Sequence, residues 1–149
     1  RSRFDIDGPQ MLRASTATNA AVSLLIIDVD HFKGVNDRFG HQQGDRILQT
    51  LVEAVKTSLR SGDRLFRYGG EEFVVLCPGL SHADALKHAE DIRHAVSARI
   101  STPDGKPVTA SIGLSSTPGD GVAIEHLLSQ ADLRLYAAKV RGRDCVVGR

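Results

Sequence analysis

Two short stretches carry acidic side chains where apolar ones are expected. Asp28 and Asp30 close the run Val22 to Val29, and Glu71 and Glu72 stand between Gly69-Gly70 and the apolar Phe73-Val74-Val75-Leu76. Successive strand side chains face opposite sides of a sheet, so Glu71 and Glu72 cannot share one role. Three or four carboxylates gathered at one sheet edge repel one another unless a cation sits among them. Oxygen ligands select hard ions: Mg²⁺, Mn²⁺ or Ca²⁺. Mg²⁺ takes only one or two protein carboxylates and fills its shell with water and substrate phosphates. The chemistry in view is therefore metal-dependent phosphoryl or nucleotidyl transfer. Taken singly, the first pair also fits a solvated strand end and the second a charged hairpin tip, so everything depends on whether they meet.

That depends on the elements carrying them. The compact, branched run Val22 to Val29 predicts a strand buried on both faces. Arg64 to Tyr68 and Phe73 to Leu76 predict the arms of a β-hairpin, with Gly69-Gly70 at positive φ at its tip and Pro78-Gly79 closing the second arm. Between these, His31 to Phe39 predicts one or two helical turns, broken by Gly40. Ile47, Leu48, Leu51, Val52, Val55 and Leu59 mark a helix from Asp45 that ends before Gly62. Ser81 is a good N-cap for a helix to about Arg99, with Ala85, Leu86, Ala89, Ile92 and Val96 inward. After a turn at Pro103-Asp104-Gly105 come a strand over Val108 to Ser115 and a loop at Pro118 to Gly121. A long helix spaced by Ile124, Leu127, Leu128, Ala131, Leu135 and Ala138 follows, then a short strand at Cys145-Val146-Val147. At the start, Phe4, Ile6, Met11 and Leu12 around Gly8-Pro9 predict a short helix after Pro9, and Thr16 to Asn19 a loop.

The expected order is a leading helix, then β-α-α-β-β-α-β-α-β. This is an α+β chain around a ferredoxin-like β-α-β-β-α-β core with an antiparallel sheet. In that topology the first strand ends at the same sheet edge as the hairpin tip, and it neighbours the hairpin's second arm. Asp28 is thereby placed beside Glu71 and Glu72.

The remaining features set bounds. At 149 residues, 41% hydrophobic and 25% charged, the chain has the size and composition of one globular domain over residues 1–149. A net charge of +1 gives no strong field for nucleic acid or a membrane. The longest apolar run is too short to span a bilayer, and no signal peptide is visible. Cys77 and Cys145 form neither a disulfide framework nor a metal spacing, which fits a reducing, cytoplasmic setting. Asp30-His31-Phe32-Lys33 opens a short helix whose free amides suit phosphate. Lys139, Arg141 and Arg143 near the end of the last helix suit phosphate or simply the helix dipole. Asp45 suits a helix cap, and His31 and His41 lack a zinc spacing.

Several motifs then agree in order. Gly69-Gly70-Glu71-Glu72-Phe73 is preceded by Asp28-x-Asp30-His31-Phe32-Lys33-x-x-Asn36-Asp37 and Gly40-His41-x-x-Gly44-Asp45. It is followed by Ala131-Asp132-x-x-Leu135-Tyr136-x-Ala138-Lys139-x-x-Gly142-Arg143. Nearly the whole chain resembles the GGDEF family, the catalytic domains of diguanylate cyclases. These join two GTP into cyclic di-GMP with release of two pyrophosphates, on a fold similar to the palm of nucleotide cyclases and polymerases.

The resemblance implies roles. Asp28, the Val29 carbonyl, Glu71 and Glu72 would hold two Mg²⁺ (or Mn²⁺) ions per active site, and Glu71 would help deprotonate the attacking 3′-hydroxyl. Gly69 and Gly70 would admit the phosphates close to the backbone. Phe32 and Lys33 amides, with the Lys33, Lys139 and Arg143 cations, would hold those phosphates, and His41 belongs to the same substrate-binding motifs. Asn36 and Asp45 would read guanine, whose N1–H and N2–H₂ donors match a carboxylate as no adenine edge does. Two bonds must form between two GTP molecules, so catalysis implies a face-to-face homodimer.

Arg60-Ser61-Gly62-Asp63 has the family's spacing for an inhibitory cyclic di-GMP site, in which Arg60 grips phosphate or base and Asp63 accepts from guanine. Many members carry a further Arg on the next helix. Asp91 stands there, with Arg93 about half a helical circuit away, which leaves the affinity of that site open. The usual leader motif is absent, Arg1 to Phe4 resembling its trailing end, so an upstream regulatory domain in a longer protein is expected. Gly142-Arg143-Asp144 replaces the common Gly-Arg-Asn and is expected to matter little. The intact signature favours an active cyclase over a silent domain that binds GTP or cyclic di-GMP and signals by contact. A mononucleotide cyclase would be told apart by product mass.

Overall fold

A computed structural model describes all residues, 1–149. The elements are α1 (Ser2–Ala17), β1 (Val22–Val29), α2 (Phe32–Phe39), α3 (His41–Ser58), β2 (Arg64–Arg67), β3 (Glu72–Pro78), α4 (His82–Arg99), β4 (Ala110–Ser116), α5 (Ile124–Val140) and β5 (Val146–Val147). One five-stranded sheet runs in the order β2-β3-β1-β4-β5, antiparallel except for the β4–β5 pair. This is the α+β, ferredoxin-like order that the element sequence predicts.

β1 is central, and all eight of its residues are buried. Its alternation feeds two cores. Leu25, Ile27 and Val29 face the layer of α2, α3 and α4, while Val22, Leu24 and Ile26 face α1 and α5. The alternation puts Asp28 on the α5 side. α5 lies so close to β4 that a Cβ at Gly113 would sit 2.0 Å from the Ala131 carbonyl oxygen and 2.5 Å from the Leu135 amide. Ser81 caps α4 as expected, its hydroxyl accepting from the Asp84 amide at 3.2 Å. No helix is long and apolar enough to cross a membrane.

Three expectations need correction. The leading helix does not begin after Pro9; it runs from Ser2 through Pro9 to Ala17, absorbing Thr16 and Ala17 from the expected loop. An internal proline costs a helix about 3 kcal/mol. Here the first turn is anchored by Phe4, 1% exposed, whose ring packs edge-on against Phe66 and Tyr68 with centroids 5.3 and 5.7 Å away. The second long helix starts at His41, one turn before Asp45, because Gly40 at φ 92° both ends α2 and begins α3. Asp45 is therefore a helix-interior residue and caps nothing. Finally, Gly69 and Gly70 are not at positive φ. The hairpin tip is closed by other means: the Glu72 carbonyl accepts from the Tyr68 and Gly69 amides at 2.9 and 3.1 Å.

Candidate active site

The β1–β3 register sets Asp28 directly opposite Glu72. Directly opposed residues share a face, so both carboxylates look toward α5. Glu71 lies just outside the strand, its carbonyl accepting from the Val29 amide at 3.4 Å. The sheet edge thus gathers Asp28, Glu71 and Glu72, as the topology requires. Lys139 of α5 reaches the same edge and forms an ion pair with Asp28 Oδ2.

Asp28 is only 2% exposed, and its Oδ1 is buried without a hydrogen-bond partner. Burial outweighs the Lys139 contact and holds the Asp28 carboxyl above its ordinary value. Glu71 and Glu72 are also pushed up, by burial first and then by the Asp28 charge. Burial would lower the Lys139 amine, but its bond to Asp28 and the surrounding carboxylates raise it. A single ammonium shared among three desolvated carboxylates leaves the edge under-neutralised. An orphaned carboxylate oxygen in an all-oxygen set is what a hard divalent cation fits.

Asp30 lies beside this set and lines the same cleft, but its carboxylate is already satisfied, so three of the expected three or four carboxylates are left to gather at the edge. Its Oδ1 accepts from the Ser111 hydroxyl at 2.6 Å, and its Oδ2 accepts from the Thr109 hydroxyl at 2.7 Å and the Asp144 amide at 3.0 Å. With those donors fixed around it, Asp30 ties β1 to β4 and to the turn after α5.

That cleft, of about 310 Å³, lies over the edge. Asp28, Val29, Asp30 and Glu71 line it from the sheet. His31, Phe32, Lys33 and Gly34 form another wall, and Lys139 and Arg143 close it. His31 adopts φ 57° and supplies no side-chain cap to α2. The first-turn amides of a helix have no intrahelical acceptor, so those of Phe32, Lys33 and Gly34 are available to an anion in the cleft. Lys33 is exposed in an i,i+4 pair with Asp37 at 3.3 Å, the kind worth only a few tenths of a kcal/mol. At the hairpin tip, Arg67 donates to the Gly69 and Gly70 carbonyls at 3.3 and 2.7 Å. A Cβ on Gly70 would meet nothing within 4 Å, so the tip backbone is open to a ligand from outside.

A close helix contact sets the positions of Asn36 and Asp45. A Cβ on Gly44 would lie 1.8 Å from Asn36 Oδ1, so the Asn36 side chain can hold this position only beside a glycine. Asn36 Oδ1 is buried without a partner, an acceptor in want of a donor. Asp45, the next residue, is exposed at the mouth of a separate groove of about 500 Å³ between α3 and the hairpin. His41 is exposed in the first turn of α3, outside the cleft lining.

The Arg60-x-x-Asp63 pair lies elsewhere and is turned on itself. Arg60 Nη2 donates to Asp63 Oδ1 at 2.7 Å and to the Pro78 carbonyl at 2.8 Å, and His88 Nε2 bonds Asp63 Oδ2 at 2.9 Å. The Asp63 side chain is fully buried. Burial alone would raise its pKa, but the hydrogen bonds from His88 and Arg60 win and bring it down to about 2. Asp91 is exposed, while Arg93 is occupied by Glu90 and Asp144 at 2.8 and 2.7 Å.

Sequence reasoning passed over Gly44, Gly113, His88 and the Arg93–Asp144 pair. Gly44 sits inside a motif that carried a signal. The others are contacts between segments far apart in the chain, with no local signature.

Comparison with known proteins adds to this geometry. Residues 3–145 match the family described as "Diguanylate cyclase, GGDEF domain". The response regulator PleD of Caulobacter vibrioides is 43% identical over 143 residues, covering 93% of this chain and 32% of PleD. The chain thus spans about a third of that relative's length. The active GGEEF domain of a Vibrio cholerae diguanylate cyclase superposes with a TM-score of 0.91 at 28% identity, covering 100% of this chain and 97% of that one. The GGDEF domain of DgcB from Caulobacter crescentus, solved with cyclic di-GMP, gives 0.88 at 29% identity, covering 99% and 89%.

Proposed function

Since the chain belongs to the GGDEF diguanylate cyclase domain family, we propose that it condenses two GTP into cyclic di-GMP, as one half of a two-fold pair of domains. The observation that carries this is the unpartnered, buried Asp28 Oδ1 facing Glu72 and neighboured by Glu71. Asp28, Glu71, Glu72 and the Val29 carbonyl are the residues that would hold Mg²⁺ or Mn²⁺, two ions per site. Divalent cations there would supply charge against the triphosphate and acidify the attacking hydroxyl.

The chain's own groups supply the rest. The α2 amides and the Lys33, Lys139 and Arg143 cations hold the triphosphate. Gly69-Gly70 lets it lie against the backbone. Asn36 Oδ1 and the Asp45 carboxylate accept from the guanine donors; adenine would leave them unpaired in the complex. Glu71, raised in pKa by burial, would take the proton from a 3′-hydroxyl. Each 3′-oxygen attacks the α-phosphorus held by the other copy, a P–O bond to pyrophosphate breaks, and two such steps close the ring. One chain offers one cleft, so the copies must face each other, and an upstream regulatory region of a longer protein would set how often they do. GTP being a cytoplasmic nucleotide, the domain works in the cytoplasm.

Product inhibition through Arg60 and Asp63 completes the proposal. The half-exposed guanidinium of Arg60 would meet phosphate by sharing or releasing Asp63 and the Pro78 carbonyl, while Asp63 would turn outward from His88 to meet guanine. Arg60→Ala should raise the product concentration at which synthesis stalls.

The direct test is Mg²⁺ and GTP with the dimerised protein, read by product mass. Cyclic di-GMP, lost by about a thousandfold in Glu71→Gln, is the expected outcome. GTP binding without product would replace the reading with a silent binding domain. A cyclic mononucleotide would replace it with a different cyclase.

A further inference from the structure

We propose that Arg93 is a positioning residue for the phosphate site: it takes up the carboxylate of Asp144 and so leaves the adjacent Arg143 to the triphosphate. The inference rests on reading the cleft as a GTP site. After α5 the chain passes through three consecutive residues at positive φ: Gly142 at 114°, Arg143 at 69° and Asp144 at 48°. Glycine does this freely and Asp tolerates it, but Arg gains nothing from it. A turn of this kind must be held from outside. The Asp144 amide donates to Asp30 Oδ2 at 3.0 Å, and the Arg143 amide donates to the Ala138 carbonyl at 3.0 Å. Arg93 donates through Nη1 to Asp144 Oδ1 at 2.7 Å and to the Asp144 carbonyl at 3.3 Å. Its other arm holds Glu90 at 2.8 Å, and its side chain is largely buried, so the guanidinium is fixed in place.

α4 itself contributes no residue to the cleft lining. Arg93 reaches that cleft only through Asp144, whose neighbour Arg143 lines it. The local charges explain why the contact matters. A free carboxylate at position 144 would compete with phosphate for the Arg143 guanidinium and repel the phosphate as well. Paired with Arg93, it does neither. Relaxation of Arg143 to an ordinary negative φ would also swing its side chain off the cleft, and the pinned turn opposes that.

The test is affinity for α,β-methylene-GTP with Mg²⁺ by titration calorimetry, which reads binding without turnover. Arg143→Ala should weaken binding about tenfold, the loss of one charge-assisted phosphate contact. Arg93→Gln should weaken it about fivefold, because the released Asp144 now engages Arg143. Asp144→Asn keeps the amide to Asp30 and tolerates the left-handed backbone, so it should bind within about twofold of the parent. In the double variant R93Q/D144N it should restore the affinity that R93Q lost. A merely structural Arg93 would give no such rescue. R93Q binding like the parent, or R93Q left unrescued by D144N, overturns the inference while an effective R143A leaves the cleft reading standing. A silent R143A would remove Arg143 from the phosphate site and take the inference with it.

Discussion

At Asp28 the fold keeps a charge where burial disfavours it. The carboxyls of Asp28, Glu71 and Glu72 all bind protons more tightly in the folded chain than in the unfolded one. Groups raised in this way stabilise the fold only while protonated. Without divalent cation, stability should therefore fall as pH rises through and above their ordinary values of 3.8 and 4.5. Mg²⁺ should restore it, so the gain in melting temperature on adding Mg²⁺ should grow with pH and vanish in Asp28→Asn. Glu71→Gln should abolish synthesis yet melt higher than the parent in metal-free buffer, because it removes a desolvated charge. A lower melting point would mean that Glu71 supports the hairpin instead. Asp63 runs the opposite way. Its depressed pKa adds stability that is complete above 3.8 and is lost as pH falls toward about 2, worth about 2 kcal/mol. His88→Ala should cost about 1–2 kcal/mol in urea unfolding at pH 7, and the deficit should shrink in acid as Asp63 protonates.

Among the elements, two glycines decide how closely a helix can approach. Gly113→Ala would drive a methyl into the Ala131 carbonyl and Leu135 amide of α5. Backbone cannot step aside cheaply, so a loss of about 3 kcal/mol is expected, read by urea unfolding. At Gly44 the obstructing atom belongs to the Asn36 side chain. Gly44→Ala should thus leave the fold nearly as stable but push Asn36 off the base, raising the KM for GTP severalfold with a smaller change in kcat. Equal losses in stability and KM would show that Asn36 cannot yield. These contacts also mark the limit of what the chain's pattern reveals. β1 and α4 were legible because burial on both faces and a Ser81 cap leave local signatures. The route of α1 through Pro9 was not, since it depends on Phe4 finding Phe66 and Tyr68 from a distant hairpin. Asp28 and Glu72 could be paired from topology alone, because antiparallel neighbours fix the register of a sheet edge. What Asp30 does beside them was not legible, because the donors that satisfy it, Thr109, Ser111 and the Asp144 amide, lie about 80 to 115 residues away in sequence.

For the whole molecule, the proposed reading of one cleft per chain would make synthesis a property of pairs. The chain's net charge of +1 gives little electrostatic repulsion or steering between copies, so pairing depends on local contacts and on concentration. Below the dimer dissociation constant, specific activity should rise in proportion to protein concentration, whereas a chain acting alone would give a flat line. Mixing sharpens the test. Glu71→Gln chains keep the sheet edge and the nucleotide cleft, so they should pair with parent chains and spoil them. If both copies must be intact to close the ring, a mixture of equal parts at fixed total concentration should make about a quarter of the parent's cyclic product, the fraction of pairs with two working sites. Mixed pairs can join the two nucleotides once, so a linear dinucleotide should accumulate in the same samples and be visible by mass. Half the parent's yield with no linear product would mean that each copy completes its reaction unaided, and the face-to-face arrangement would fall with that result.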